Sequence, residues 1–375
     1  MSEPEPGRRS LTTSPSSLGQ SPTTATPIMT TTTTTTTMVP TIRLDHPDKT
    51  AVVQQLRTVC INKGFFYLSG HGIDPTLLHN ILHDAAPSFF ALPTLEKMAL
   101  HDSVLNRGYT ALGAQTLDPQ HQRRPDTKEG FIVGGTDVER DHPTYDVTKF
   151  RGPNPWPAVE LTPSWTATQC ASFRQTVTAY RQECLRVSHE LAGLLALAVG
   201  LDDEKFFEPF CRDPIANLRL LRYSREPSDP DNGVLACGAH TDWGLLTLLL
   251  TDENRGLQIY TKNNDKDGAL EWMDVPPDPS CFVVNLGDLL ERWTNGLFQS
   301  PLHRVVTPPP TREGSVVAQR FSVPFFFDPD FDAVVKVLDV CCSPEKPAMF
   351  PPTTCGQYIQ DKFQETHNKK HNDEG

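Results

Sequence analysis

Short apolar runs, separated by glycine, proline, asparagine and aspartate, begin at about residue 216 and restrict the fold more than any other feature. Each run has the length of a β-strand, and no amphipathic helical segment separates one from the next, as parallel βαβ units would require. Regularly spaced strands of this kind predict a sandwich or a barrel. The runs occupy residues 218–223, 245–250, 257–260, 282–285, 303–307 and 320–327.

The region before these runs is expected to pack helices against the sheet. Apolar residues recur at intervals of three and four in residues 48–63 and 166–199, and a glycine follows each segment, which predicts two amphipathic helices. Asp74 and Pro75 have the order of an N-cap and a first helical residue, so a further helix should begin there. Residues 41–44 and 65–68 are predicted to be short strands.

Composition divides the chain into four parts. Residues 1–38 are rich in serine, threonine and proline and have little to bury, so they are expected to be disordered. Residues 39–210 form the amino-terminal region of helices and short strands, and residues 211–335 form the sheet core. Residues 336–375 are expected to form a carboxy-terminal helical segment with a frayed tail.

Charge and composition exclude several classes of partner. The net charge of −12 leaves no basic face for nucleic acid or an anionic membrane. The nine cysteines contain no CxxC pair, so neither a Cys-rich zinc site nor a disulfide framework follows. No apolar run has the length of a membrane span, and no secretory signal is visible. We expect a cytoplasmic monomer; Arg8 and Arg9 resemble part of a transit peptide, but Glu3 and Glu5 argue against one.

Two side chains able to bind a metal stand two residues apart in His240-Thr241-Asp242. On an extended segment such residues point to the same face, so both can reach one cation. His303, at the start of a later strand-like run, is the best candidate for a third ligand. Two histidines and one carboxylate form the facial set that suits Fe(II) with open positions, although ligand type alone does not exclude Mn, Co or Ni.

A His-x-Asp tripeptide is common by chance, but the segment Arg320-Phe321-Ser322 supports the interpretation of this one as a metal site. Arg320 and Ser322 share one face of a predicted strand and together offer a guanidinium and a hydroxyl to a carboxylate. A metal triad combined with an anion clamp predicts a co-substrate site.

The motifs resemble those of the isopenicillin-N-synthase-like branch of the 2-oxoglutarate- and Fe(II)-dependent dioxygenases. The similarity extends from about residue 39 to residue 360. It is carried by GFFYLSGHGI at 64–73, NRGY at 106–109, KEGF at 128–131, HTDWG at 240–244, GLQIY at 256–260, NLGDLLERWTNG at 285–296, PLHRV at 301–305 and RFS at 320–322.

The resemblance implies a mainly β fold with flanking helices around a distorted jelly roll, or double-stranded β-helix. It implies that His240, Asp242 and His303 bind Fe(II) and that Arg320 and Ser322 hold 2-oxoglutarate. Tyr223 falls where many members place a tyrosine near the co-substrate. The enzyme would hydroxylate or desaturate a small molecule with O₂, release succinate and CO₂, and use ascorbate as a reductant.

Four further residues are predicted to contact the substrate if the resemblance holds: Tyr109, Lys128, Phe131 and Trp243. One departure from plant relatives is Leu221, which replaces an asparagine two residues before the tyrosine.

Two alternatives remain open. The first is an Fe(II) oxidase of the same fold that does not use 2-oxoglutarate. The second is a non-catalytic jelly-roll binding protein, and the retention of all three ligands and both clamp residues argues against it. The sequence does not identify the substrate.

Overall fold

The computed structural model describes residues 39–263, 269–310, 312 and 315–367. The segment 1–38, predicted to be disordered, lies outside the described residues, as do residues 368–375. The strands are β1 (Thr41–Arg43), β2 (Phe65–Ser69), β3 (His101–Asp102), β4 (Arg107–Thr110), β5 (Lys128–Val133), β6 (Ala216–Tyr223), β7 (Cys237–His240), β8 (Leu246–Thr251), β9 (Leu257–Asn263), β10 (Ala269–Asp274), β11 (Phe282–Leu286), β12 (His303–Val305), β13 (Phe321–Phe327), β14 (Val334–Val335) and β15 (Thr353–Thr354).

The helices lie mostly in the amino-terminal half. They are α1 (Lys49–Asn62), α2 (Pro75–His79), α3 (Ala86–Phe90), α4 (Thr94–Met98), α5 (Ala167–Val199), α6 (Asp288–Trp293) and α7 (Cys355–His367), and a π-helical segment (Asn80–Ala85) joins α2 to α3.

The strands form two main sheets. The larger has nine strands in the order β1-β2-β11-β8-β13-β6-β5-β4-β3, and the smaller has four in the order β10-β9-β12-β7. The short β14 and β15 pair separately. Strands from before and after residue 210 therefore share the larger sheet, so the amino-terminal region extends the barrel wall.

Apolar side chains cover both faces of the larger sheet. One buried cluster lies between the two sheets and includes Phe65 of β2, Tyr223 of β6 and Ile259 of β9. A larger cluster joins the outer face of the large sheet to the helices, with Val177 and Leu191 of α5 among its fully buried members. Burial on both sides fixes the orientation of β6, β8, β11 and β13, the strands that carry or support the site described below.

The long helix α5 follows its sequence signals closely. Thr166 is the N-cap, and its side chain and that of Gln169 form a reciprocal capping box. Gly200 ends the helix with φ of 109°, a left-handed conformation that glycine adopts without a steric cost. The predicted helix over residues 166–199 is thereby confirmed, and α1 begins after its own N-cap, Asp48.

The predicted strands are confirmed with small differences at their ends. The run predicted over 303–307 ends at Val305, because the backbone N–H of Thr307 bonds to the hydroxyl of Ser228 instead of continuing the ladder. β10 was not predicted from the residues, since its side chains are exposed or half-buried and the segment lacks an apolar run.

Candidate metal centre

The two candidate histidines face each other across neighbouring strands. His240 ends β7, and His303 begins β12 as its direct cross-strand partner. The imidazole centroids lie 4.3 Å apart. Asp242 follows β7 by two residues, and one ligand atom from each of the three side chains lies within 4.8 Å of the others. Sheet register thus brings together the three residues that the sequence predicted as a triad.

Hydrogen bonds fix which nitrogen of each imidazole is available. Nδ1 of His240 lies 2.8 Å from the carbonyl oxygen of Gly238, and Nδ1 of His303 lies 3.0 Å from that of Pro301. A nitrogen facing a carbonyl must carry the proton, which leaves each Nε2 unprotonated. The Nε2 atoms lie 3.7 Å (His240) and 3.8 Å (His303) from Oδ1 of Asp242.

The carboxylate of Asp242 is held through its other oxygen. Oδ2 accepts hydrogen bonds from Thr247 at 2.5 Å and from the Asn285 amide at 2.7 Å, whereas Oδ1 faces the imidazoles. Partners behind the ligands orient them in this way in many metal sites. In the sequence, Asn285 appears only as the first residue of the matching motif at 285–296, so this role was missed.

Burial and the facing charges keep the donors in metal-binding protonation states. Burial, reinforced by His240, lowers the pKa of His303, which favours the neutral imidazole. Burial alone would raise the pKa of Asp242, but the two imidazoles and the hydrogen bonds from Thr247 and Asn285 outweigh it and leave that pKa below its usual value. Neutral imidazoles and an ionised carboxylate are the forms that bind a divalent metal.

Arg320 and Ser322 form a candidate binding site for an anion, because the described residues around them do not satisfy every hydrogen-bond donor of the guanidinium. Arg320 is buried, with its guanidinium 4.6 Å from the centroid of the Tyr223 ring and its Nε 3.3 Å from the carbonyl oxygen of Asn254. Its Nη1 is buried and has no hydrogen-bond partner among the described residues. The hydroxyls of Tyr223 and Ser322 lie 3.1 Å apart beside it. An unpaired buried guanidinium nitrogen fits a carboxylate ligand.

A cavity of about 380 Å³ opens onto His240 and Asp242 of the triad. His240, Asp242 and Trp243 form part of its wall, and Ile359 and Phe363 of α7 form another part. Trp243, predicted to contact substrate, therefore lines the cavity, packed edge-on against Phe363 with 5.1 Å between ring centroids.

The other three residues predicted to face substrate do not line this cavity. The Tyr109 hydroxyl donates to Glu129 at 2.6 Å, and Phe131 packs in the core with its ring 4.5 Å from that of Phe89. Lys128 is buried, pairs with Asp126 and contacts Sγ of Cys237 at 3.2 Å. Thr110 and Ile132, the chain neighbours of Tyr109 and Phe131, line the cavity instead.

Arg219 also lines the cavity and was not singled out in the sequence. It lies on the same face of β6 as Leu221 and Tyr223, so the period of two in Leu218–Tyr223 was the signal that could have placed it on the inner face. Leu221 itself packs in the cluster between the sheets, next to Tyr223.

Two imidazoles and one carboxylate that converge inside a jelly roll, with a buried arginine next to a strand of the same barrel whose Nη1 has no partner among the described residues, are typical of a mononuclear non-haem iron oxygenase that uses an anionic co-substrate. Comparison with known proteins agrees. Residues 39–159 match the family model of the non-haem dioxygenase in morphine synthesis N-terminal domain, and residues 215–329 match that of the 2OG-Fe(II) oxygenase superfamily.

Individual relatives cover most of the chain. A 2-oxoglutarate-Fe(II) type oxidoreductase, hxnY of Emericella nidulans, is 35% identical over 329 residues and spans 87% of both chains. A full-length Neurospora crassa protein solved with alpha-KG has a TM-score of 0.71 and 28% identity, covering 87% of this chain and 96% of its own. JOX2, solved with 2OG, Fe and JA, has a TM-score of 0.65 and 25% identity, covering 86% and 84%.

The chain belongs to the 2-oxoglutarate- and Fe(II)-dependent oxygenase family. It is an oxidoreductase that uses Fe(II), 2-oxoglutarate and O₂ to oxidise a small molecule, with succinate and CO₂ as by-products. In the part of the chain that the structure describes, no helix combines the length and the apolar character needed to span a membrane.

Proposed function

We propose that Fe(II) is bound by Nε2 of His240, Oδ1 of Asp242 and Nε2 of His303. One observation carries the assignment: these three atoms face one another, whereas Nδ1 of each imidazole and Oδ2 of the carboxylate are engaged by other groups. The donors are thus oriented before any metal arrives, and this set of two imidazoles and one carboxylate would leave coordination positions open to a co-substrate.

We further propose that Arg320, Ser322 and Tyr223 hold the distal carboxylate of 2-oxoglutarate. The partnerless Nη1 of Arg320 and the adjoining hydroxyls supply donors of the right charge and geometry. Because the guanidinium is buried over the Tyr223 ring, it keeps one orientation and excludes water from the carboxylate. All these groups come from a single chain, so a monomer suffices for the site.

Bound Fe(II) and 2-oxoglutarate together supply the oxidation chemistry. The protein contributes the orientation of the ligands and a cavity in which the substrate lies beside them. Trp243 forms part of that cavity wall immediately after the ligand segment, so we place it in contact with substrate. The Neurospora crassa relative has also been solved with thymine, a small ring compound, and a cavity of about 380 Å³ accepts a molecule of that class.

The test of the triad is spectroscopic. Anaerobic addition of Fe(II) and 2-oxoglutarate to the full-length protein should produce a weak visible absorption band, and His240→Ala should remove it. His121→Ala is the matched control, because His121 is exposed and bonded only to Asp118 of its own turn. A band that survives in the His240 variant, or its absence in the folded wild-type protein, would contradict the assignment.

A further inference from the structure

Arg219 is a cation in the cavity wall without an adequate partner. Its Nε is buried and has no hydrogen-bond partner among the described residues. Nη1 and Nη2 approach only Oε1 of Gln115, at 3.5 and 3.4 Å, which is long for a hydrogen bond and brings no negative charge. A desolvated charge of this kind is unfavourable unless an anion pairs with it.

The acidic groups around Arg219 do not serve as that anion. Asp126 is paired with Lys128, and Asp242 is directed at the two imidazoles. No carboxylate in the described ranges lies within 4.0 Å of the Arg219 guanidinium. This holds for Asp328 as well, although it lines the same cavity.

A second arginine that lines the cavity, Arg107, has a structural role and serves as a comparison. Arg107 donates to the carbonyl oxygens of Thr136, Gly152 and Phe150, so its guanidinium is satisfied by the fold itself. Arg219 has no comparable set of acceptors. The difference indicates that the partner of Arg219 arrives with a ligand.

That ligand is distinct from the co-substrate assigned to Arg320. On β6 and β13, Tyr223 and Ser322 lie at one end of the paired strands, and Ser322 is opposite Leu221. Arg219 lies further along β6, on the same face as Asn217, whose cross-strand partner is Phe326. Asn217, Arg219 and Phe326 all line the cavity, and Arg320 does not.

The geometry points to Arg219 as the substrate anchor: we propose that the substrate is a small, ring-containing carboxylic acid whose carboxylate pairs with this guanidinium. This rests on the proposed function, because it assumes that the cavity beside the triad is the substrate site. Trp243, Phe326 and Phe363 provide flat apolar surfaces for the ring. The volume of about 380 Å³ lies at the small end of ligand pockets, roughly 300–1,000 Å³.

The test compares acids with their uncharged amides. The anaerobic Fe(II)·2-oxoglutarate complex of the full-length protein is titrated calorimetrically with benzoate and benzamide, pyridine-3-carboxylate and its amide, and indole-3-acetate and its amide. We expect at least one acid to bind about tenfold or more tightly than its amide, the lower end for a hydrogen bond to a charged group. Wild-type protein that prefers no acid over its amide overturns the proposal.

Variants then assign the preference to one residue. Arg219→Gln should abolish it, and Arg219→Lys should keep it in weakened form, while the affinity for 2-oxoglutarate stays unchanged in both. Arg225→Gln is the matched control: Arg225 is exposed and the change in net charge is the same. Arg219→Met takes the place of the glutamine variant should that one not fold. An acid preference that persists without the guanidinium overturns the proposal.

The binding results distinguish a failure of the Arg219 anchor from a failure of the proposed function on which it rests. Should 2-oxoglutarate fail to bind while the acid preference persists in protein loaded with Fe(II) alone, the proposed function fails and the anchor stands. Should 2-oxoglutarate bind normally without any acid preference, the anchor fails and the proposed function stands.

Discussion

Asn285 and Thr247 are direct cross-strand partners on β11 and β8, and both donate a hydrogen bond to Oδ2 of Asp242. Two buried donors on one oxygen leave a single orientation for the carboxylate, with Oδ1 turned toward the imidazoles. The larger sheet thereby orients a proposed ligand that follows a strand of the smaller sheet, so the candidate metal centre depends on the packing of the two sheets.

Removal of the Asn285 amide should therefore weaken metal binding without removing a ligand. For Asn285→Ala we expect the affinity for Mn(II) or Fe(II) to fall by about 10–100-fold, the usual effect of losing such a partner. Calorimetric titration of the metal-free protein measures it. Asn232→Ala is the control, since Asn232 is exposed and bonds within its own turn. Equal affinities for Asn285→Ala and wild-type protein would show that Thr247 alone orients the carboxylate.

The hydrogen bond from Asn285 to Asp242 could not be predicted from the sequence. The position of Asn285 before a Gly-Asp turn is typical of backbone capping, and only the register between β11 and β8 reveals that its amide reaches Asp242. The three proposed ligands were predictable, because the i, i+2 spacing places His240 and Asp242 on one face and His303 begins a later strand-like run.

Two of the residues predicted to contact substrate, Tyr109 and Phe131, lie one position away from residues that line the cavity. Strand residues alternate between faces, so Phe131 points into the core whereas Ile132 lines the cavity. Thr110 and Tyr109 differ in the same way. A motif can identify the strand, but the face that a given residue occupies depends on pairing with strands that are distant in sequence.

Arg320→Met should weaken 2-oxoglutarate binding selectively. Loss of a charge-assisted hydrogen bond costs about 1.5–3 kcal/mol, or roughly 10–150-fold in affinity. Ser322→Ala removes one neutral donor and should cost less, about 0.5–1.5 kcal/mol. The quantity to measure is the concentration of 2-oxoglutarate at half-maximal visible absorption under anaerobic conditions.

The control for the Arg320 variant is Arg304→Met. Arg304 bonds to Gln258 and stacks on Trp272, 4.1 Å from the ring centroid, and does not line the cavity. Similar losses of 2-oxoglutarate affinity in the two arginine variants would indicate a general electrostatic effect and would count against the assigned clamp.

Arg219→Met should stabilise the protein in the absence of substrate. The substitution removes a desolvated guanidinium whose Nε has no partner and keeps an apolar side chain of similar length, so we expect a gain of about 1–3 kcal/mol in the free energy of unfolding. Urea unfolding of the wild-type and variant proteins measures it. A structural arginine would give the opposite sign, and Arg107→Met, which removes three carbonyl contacts, should be destabilising.

The carboxyl group of Asp328 should make stability depend on pH. Burial, followed by the charge of Asp242, raises the pKa of Asp328 to about 8. Between its ordinary pKa and about 8 the folded protein holds a proton that the unfolded chain has released. The free energy of unfolding therefore falls as pH rises through this window, and the contribution of Asp328 is most favourable below it.

Asp328→Asn removes this titration while keeping the shape of the side chain. Relative to wild type, the variant should gain stability progressively from about pH 4 to pH 8, as measured by urea unfolding of the metal-free proteins at a series of pH values. Asp332→Asn is the control, because Asp332 is exposed. Iron bound at Asp242 offsets the charge that helps to raise the pKa, so in the metal-loaded wild-type protein this loss of stability should be smaller and should end at a lower pH than in the metal-free form. Parallel stability profiles for the wild-type and Asp328→Asn proteins would mean that folding does not raise the pKa of Asp328, and would contradict this prediction.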